Sequence, residues 1–178
     1  TVLWMVNINM GVTGVKHTDI TKHDIQQAEI LAKEMGELKN SITKGQGNIH
    51  GFLGEIVVAK FLDIEISNTY DYDMIFKDIK IDVKTKRVTT PPRDYYECSV
   101  AALNTKQRCD IYVFTRILKD RTQGWILGYI NKEDYLKKAT FLKKGEVDPS
   151  NNWKVSTDCY NLPIKELNNI EELLSETH

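Results

Sequence analysis

Apolar and polar residues alternate from residue 70 to residue 85 with the two-residue period of β-strands. The alternation breaks once, at Lys77 and Asp78, which predicts a tight turn between two antiparallel strands. Glycine, which the favoured two-residue hairpin turns prefer, is absent there. The pattern therefore predicts a hairpin made of residues 70–76 and 79–85.

The predicted hairpin places charged residues on one face. Asp82 and Lys84 share a face of the second strand, opposite Val83, and Asp71 and Asp73 share a face of the first. A divalent cation between Asp82 and an acid of the first strand would satisfy both carboxylates, because hard cations take oxygen ligands. We favour Asp73, which is nearer the turn and so closer to Asp82. A register shifted by one alternation step would select Asp71 instead.

Two segments ahead of the hairpin have helical spacing. The first begins near Thr21, and Asp24 follows three residues later in the spacing of a capping box. The second covers residues 49–62 and carries Gly51 and Gly54 on one face. Glycine costs up to about 1 kcal/mol inside a helix, so we expect another backbone, or DNA, to approach these glycines closely.

The remainder of the chain contains further predicted elements. Residues 1–10 form a strand or an apolar arm, and an amphipathic segment begins near Pro163. Between the hairpin and that segment, a strand, a short helix, two strands and a longer helix are predicted at residues 95–100, 101–107, 110–117, 124–130 and 131–142.

Composition indicates an ordinary globular protein. The 178 residues suggest one domain, with 41% hydrophobic and 28% charged residues. The three cysteines, Cys98, Cys109 and Cys159, are widely spaced and contain no CxxC pair, which argues against zinc and favours a reducing, cytoplasmic location. No apolar run is long enough to span a membrane, and no signal peptide is seen.

Charge is unevenly distributed along the chain. The net charge is −1, yet residues 77–121 hold eleven basic and six acidic residues. Such local asymmetry suits an anionic partner such as DNA, although a solvated, lysine-rich face would give the same pattern. The candidate contacts to a DNA backbone are Lys86, Arg87, Arg93, Lys106 and Arg108.

The acidic strand followed by Asp82-Val83-Lys84 resembles the active-site hairpin of the restriction-endonuclease-like, or PD-(D/E)XK, nuclease superfamily. Those enzymes commonly carry an acid on a preceding helix, and Glu55 occupies the matching place here. The resemblance covers roughly residues 51–116. Tyr72 stands where the proline of the superfamily name would be.

The resemblance implies an α/β (α+β) fold with a restriction-endonuclease-like core. In that core, a central mixed β-sheet would be flanked by helices on both sides, in the order α-β-β-β-α-β-β. The whole chain, residues 1–178, would be a single nuclease-like domain with its core at about residues 45–131. Residues 1–44 and 132–178 would be packing extensions that add N- and C-terminal helices.

The resemblance also implies a metal-dependent DNA endonuclease or exonuclease that hydrolyses phosphodiester bonds. Asp73, Asp82 and the carbonyl of Val83 would hold Mg²⁺, for which Mn²⁺ is expected to substitute, and Glu55 would hold the same ion through water or a second ion. Lys84 would orient or help deprotonate the attacking water, or would pair with the phosphate as a point charge.

Two alternatives compete with this interpretation. One is a catalytically inactive nucleic-acid-binding domain that shares the nuclease fold. The other is an unrelated α/β domain in which the hairpin charges form an ordinary cross-strand ion cluster. Under the nuclease hypothesis, the chain would be a phage or prokaryotic member acting on duplex or branched DNA. A homodimer would suit the cutting of both strands.

Overall fold

The computed structural model describes residues 12–39 and 49–175. Its fold is mixed α/β. Four α-helices are described: α1 Lys22–Lys39, α2 Ile49–Leu62, α3 Lys132–Lys138 and α4 Glu171–Ser175. Ten strands are described: β1 Lys16–Asp19, β2 Met74–Phe76, β3 Ile79–Val88, β4 Glu97–Ala101, β5 Ile111–Leu118, β6 Gln123–Asn131, β7 Thr140–Leu142, β8 Val147–Asp148, β9 Trp153–Lys154 and β10 Cys159–Pro163.

The predicted hairpin is confirmed as β2 and β3. Their antiparallel register pairs Met74 with Ile81. Lys77 and Asp78 form the turn with φ angles of 47° and 65°. These positive values at both central positions are what a twist-matched two-residue turn requires, so two non-glycine residues accept the left-handed region here.

The first strand of the hairpin is shorter than predicted. β2 begins at Met74, and residues 70–73 form a turn instead of continuing the strand. The side chain of Thr69 accepts a hydrogen bond from the Tyr72 backbone N–H and donates one to the Tyr72 carbonyl. This local threonine turn competes successfully with strand pairing.

The larger sheet has the strand order β1-β6-β5-β3-β2. β3 and β5 are parallel, whereas the other neighbours are antiparallel, so the sheet is mixed as expected. One face packs on α1 and α2 through a single apolar cluster. Ile81 and Val83 of β3 and Val113 of β5 belong to that cluster.

The two long helices form as the sequence predicts. In the capping box of α1, the backbone N–H of Thr21 donates to Asp24 Oδ2 at 3.0 Å, and that of Asp24 donates to Thr21 Oγ1 at 3.1 Å. Lys60 of α2 donates to the same buried Asp24 carboxylate, at 3.0 and 3.1 Å. This bond ties the start of α1 to the end of α2.

The second face of the large sheet differs from the prediction. A three-stranded sheet, β4-β10-β7, shares an apolar cluster with this face, and α3 contributes Tyr135 to it. The predicted third strand does exist as β4, but it belongs to this small sheet and not to the central one. On this face a small sheet therefore packs beside helix α3, where only helices were expected.

The C-terminal third also departs from the prediction. The helix expected at 131–142 ends at Lys138 and is followed by β7, and the short helix expected at 101–107 is the 3₁₀ helix Ala102–Lys106. β10 pairs with β4, so this extension completes a sheet. The region after Pro163 contains the 3₁₀ helix Ile164–Glu166 and then α4.

The predicted segment at residues 1–10 lies outside the described residues. Within the described part of the chain, no helix has both the length and the apolar character needed to cross a membrane.

Candidate functional site

Asp73 and Asp82 face each other across the hairpin. They follow the register of β2 and β3, and the Asp73 backbone N–H donates to the Ile81 carbonyl at 2.8 Å. Asp73 Oδ2 accepts a hydrogen bond from the Val83 backbone N–H at 2.8 Å. The two carboxyl groups lie within hydrogen-bonding reach of each other. The structure thus brings together the two strand acids that the sequence singled out.

Glu55 of α2 lies next to Asp73 and Asp82. Its side chain is buried and hydrogen-bonded to Asp73. Burial, the bond to Asp73 and the nearby charges of Asp73 and Asp82 raise the pKa of Glu55 to about 10. The three carboxyl groups therefore form a buried cluster in which the neutral form of Glu55 is favoured.

Asp82 is buried beside Lys84. Burial raises the pKa of Asp82 to about 7 despite the nearby charge of Lys84. Lys84 Nζ forms an ion pair with Asp82 Oδ2 at 2.7 Å, and that oxygen has no other described polar partner. Lys84 Nζ also donates to Gln107 Oε1 at 3.2 Å and lies 5.8 Å from the centroid of the Tyr112 ring.

Asp71 is hydrogen-bonded outside the carboxyl cluster. Its Oδ1 accepts a hydrogen bond from the Arg108 backbone N–H at 3.0 Å, which ties the turn before β2 to the segment before β5. Of the two acids left open by the sequence pattern, Asp73 is therefore the one that lies with Asp82 and Glu55.

Two residues near the site were not anticipated. Gln107 accepts from Lys84, donates to the Tyr70 carbonyl at 2.9 Å, and its own carbonyl accepts a close hydrogen bond from Lys132 Nζ. Gln107 follows a 3₁₀ helix, and Lys132 begins α3. No local pattern marks either residue, because only the parallel pairing of β3 with β5 brings their segments to the hairpin.

The carboxyl cluster fits a divalent cation in composition but not yet in arrangement. Among the described residues, no three His, Cys, Asp or Glu side chains are already placed as a metal-ligand set. In favour of a cation, Asp82 Oδ2 is buried with the Lys84 ammonium as its described partner, and carboxyl groups this close to one another favour added positive charge. Glu55 and Asp73 would have to give up their shared hydrogen bond to accept it.

The predicted DNA-contacting residues lie at three places in the described structure. Lys86 and Arg87 line a pocket with Arg116 and Lys119 at the end of β3. Arg93 lines a neighbouring pocket of about 870 Å³ with Tyr95, Tyr96 and Lys165, and the two pockets share Thr90. The exposed side chains of Lys106 and Arg108 flank Gln107 in the chain, near the candidate site.

No known protein family model and no curated protein matches the chain. What the protein does is therefore inferred from its own residues.

Proposed function

We propose that the protein is a metal-dependent nuclease that hydrolyses phosphodiester bonds of DNA. One observation carries the proposal: Glu55, Asp73 and Asp82 converge in a buried cluster, with Lys84 at 2.7 Å from Asp82. Carboxylates from helix α2, from the residue just before β2 and from β3, together with an amine, match what the resemblance to PD-(D/E)XK nucleases implies. An ordinary surface ion cluster would have no reason to be buried.

Each residue has a role in this proposal. Asp73, Asp82 and the Val83 carbonyl would hold Mg²⁺ or Mn²⁺, and Glu55 would contribute directly or through water. When bound, such an ion lowers the pKa of a coordinated water and offsets negative charge on the phosphoryl oxygens. Lys84, held by Asp82 and Gln107, would orient the attacking water or contact the phosphate.

The proposed substrate is duplex or branched DNA. Lys86 and Arg87 would contact its backbone beyond Lys84, while Lys106 and Arg108 would do so beside Gln107. The three cysteines are each buried with a free thiol, which suits the reducing interior of a cell.

The test is cleavage of labelled duplex and branched DNA with Mg²⁺, with Mn²⁺ and with EDTA. We expect cleavage only with a divalent ion, and its loss in Asp82→Asn, which removes a charged ligand without changing the shape of the side chain. Asp134→Asn is the matched control, because Asp134 is exposed on α3. It should cut like the unmodified protein.

The alternatives give different results. A binding domain without catalysis would retain DNA in Ca²⁺ and in Mg²⁺ alike and would cut in neither. An unrelated domain would not bind DNA at moderate salt. Cleavage that persists in EDTA, or in Asp82→Asn, would contradict the proposed metal-dependent site.

A further inference from the structure

A basic pocket lies beyond the candidate site along β3 and its parallel neighbour β5. Lys86 of β3 and Arg116 of β5 are partners in the parallel register, two residues along from Lys84 and Phe114. They line a pocket of about 390 Å³ together with Arg87, Val88, Thr89, Thr90 and Lys119. Its described lining therefore contains four cations and no acid.

Arg116 is the unusual member of this lining. Only 5% of its surface is exposed. One of its Nη atoms donates to the Glu97 backbone carbonyl at 3.0 Å, and the guanidinium lies 5.0 Å from the centroid of the Tyr96 ring. Its Nε atom has no hydrogen-bond partner, and no described carboxylate forms a salt bridge with it. A guanidinium withdrawn from water without a counterion is costly.

Lys86 adds to this excess of positive charge. Burial and then the charge of Arg116 lower the pKa of Lys86, so the two cations repel each other. Glu97 is the nearby acid: its Oε1 lies 2.8 Å from Ser150 Oγ, its Oε2 has no described hydrogen-bond partner, and no described salt bridge joins it to Arg116 or Lys86. An anion placed in the pocket would supply the missing counter-charge to both cations.

We infer that this pocket binds a phosphate group of the nucleic-acid strand held at the candidate site. The inference rests on the proposed function. Phosphate is the anion that matches an arginine fork flanked by lysines, and the hydroxyls of Thr89 and Thr90 can donate to its oxygens. Two residues of strand span roughly 6.6 Å, so this phosphate would be a neighbour of the one at Lys84.

The salt dependence of DNA binding tests the inference without any cleavage. Binding would be measured in Ca²⁺ over a range of salt concentrations for Lys119→Gln and Arg87→Gln. Both side chains are exposed or partly exposed, so these variants should fold. Each lost phosphate contact should reduce the slope of log K against log salt by about 1. Lys33→Gln, exposed on α1, is the control and should keep the full slope.

Two further measurements locate the phosphate and identify its source. Inorganic phosphate added to the full chain without DNA should shift the amide resonances of Thr89 and Thr90. Oligonucleotides with a 5′-phosphate or a 5′-hydroxyl then separate a terminal monoester from an internal diester. If the pocket holds a terminal phosphate, the 5′-phosphate oligonucleotide should bind more tightly than the 5′-hydroxyl one, and Lys119→Gln should abolish that difference. If the pocket holds an internal phosphate, the two oligonucleotides should bind equally, and Lys119→Gln should weaken both by the same factor.

The outcomes separate this inference from the proposed function. Unchanged salt slopes in both variants, or no response of Thr89 and Thr90 to phosphate, would contradict phosphate binding in this pocket even if the protein cuts DNA. Phosphate binding at Thr89 and Thr90 with reduced slopes, but with no cleavage under any metal condition, would support the phosphate pocket and contradict the proposed nuclease activity.

Discussion

Lys84 is held in place more firmly than a surface lysine. Its ammonium contacts Asp82, donates to Gln107 and lies over the Tyr112 ring. If it orients or activates water, Lys84→Ala should still bind DNA in Ca²⁺ but cut it about 10²–10⁴-fold more slowly. Single-turnover cleavage in Mg²⁺ measures the chemical step separately from binding.

Two further variants sharpen the test of Lys84. Lys84→Arg should not restore the rate, because a guanidinium is a planar fork that keeps its proton at ordinary pH. Lys33→Ala is the control for the loss of one exposed lysine. If Lys84→Ala cuts at the unmodified rate, the role of Lys84 is structural and the proposed site is wrong.

The carboxyl cluster should make stability depend on pH in an uncommon direction. Burial raises the pKa of Asp82 to about 7 and that of Glu55 to about 10, both above their unfolded values. The folded state therefore binds more protons, and this contribution to stability is full below about pH 4. It declines as pH rises through the folded pKa values. In EDTA, the free energy of unfolding should therefore fall as pH rises from roughly pH 5 to pH 9.

Urea unfolding of the unmodified protein and of Glu55→Gln isolates this effect. The variant removes one titrating group with little change of shape, so it should gain stability relative to the unmodified protein as pH rises. Mg²⁺ should reduce that gain, because ionised carboxylates attract the cation. A difference between the two proteins that is independent of pH would contradict the raised pKa of Glu55.

At the level of elements, the contact of α2 with the sheet depends on Gly54. A Cβ atom added there would lie 2.0 Å from Thr85 Oγ1 and 2.5 Å from Thr115 Oγ1. These two hydroxyls are hydrogen-bonded to each other at 2.7 Å, and threonine is stiff at χ1, so they cannot easily move aside. Gly54→Ala should therefore destabilise the fold by about 1–3 kcal/mol.

Gly51 offers a control within the same helix. No described atom lies within 4 Å of a Cβ atom added at Gly51. Gly51→Ala should then stabilise the protein by roughly 0.5–1 kcal/mol, since alanine favours helix over glycine. Urea midpoints of the two variants test both statements, and equal effects of the same sign would contradict the close packing at Gly54.

Local patterns predicted the elements that carry the site but not all of their partners. Alternation located the hairpin, and the helix predicted at residues 49–62 is α2 with Glu55, although most sides of that helix are buried and not one face. The alternation in β4 could not reveal that this strand leaves the central sheet to pair with β10, since strand partners are set by distant residues. Gln107 was missed for the same reason.

At the scale of the whole molecule, folding places basic residues of segment 77–121 in two adjoining pockets. Lys86 and Arg93 line different pockets that share Thr90, and the Arg116 guanidinium of the first lies 5.0 Å from the Tyr96 ring of the second. The charge excess in residues 77–121 is thus shared among several places in the fold, and the anionic partner inferred from it stays a prediction. Only folding pairs Lys86 with Arg116, thirty residues later.

The C-terminal region is joined to the small sheet by a buried polar network. Asn161 of β10 donates to Asp148 Oδ2 at 2.8 Å, and its Oδ1 accepts from Ser99 at 2.6 Å. Asp148 Oδ1 accepts from the backbone N–H of Ser150, and the single hydroxyl proton of Ser150 lies between Asp148 Oδ1 at 2.7 Å and Glu97 Oε1 at 2.8 Å. These bonds connect the β8–β9 segment to β10 and β4, so their loss should affect the stability of the whole fold.

Asn161→Asp should expose this dependence. The substitution removes the amide donor and places a second carboxylate against Asp148, with both groups buried. We expect a loss of about 3 kcal/mol at pH 7. The loss should shrink towards pH 4, where one of the two carboxyl groups can hold a proton and donate it to the other.

Asn151→Asp is the matched control, because exposed Asn151 only accepts a hydrogen bond from the Trp153 N–H, which aspartate can also do. Urea unfolding at both pH values decides the matter: equal stability of the two variants at pH 7 would show that the Asp148–Asn161 bond does not hold the C-terminal region in place.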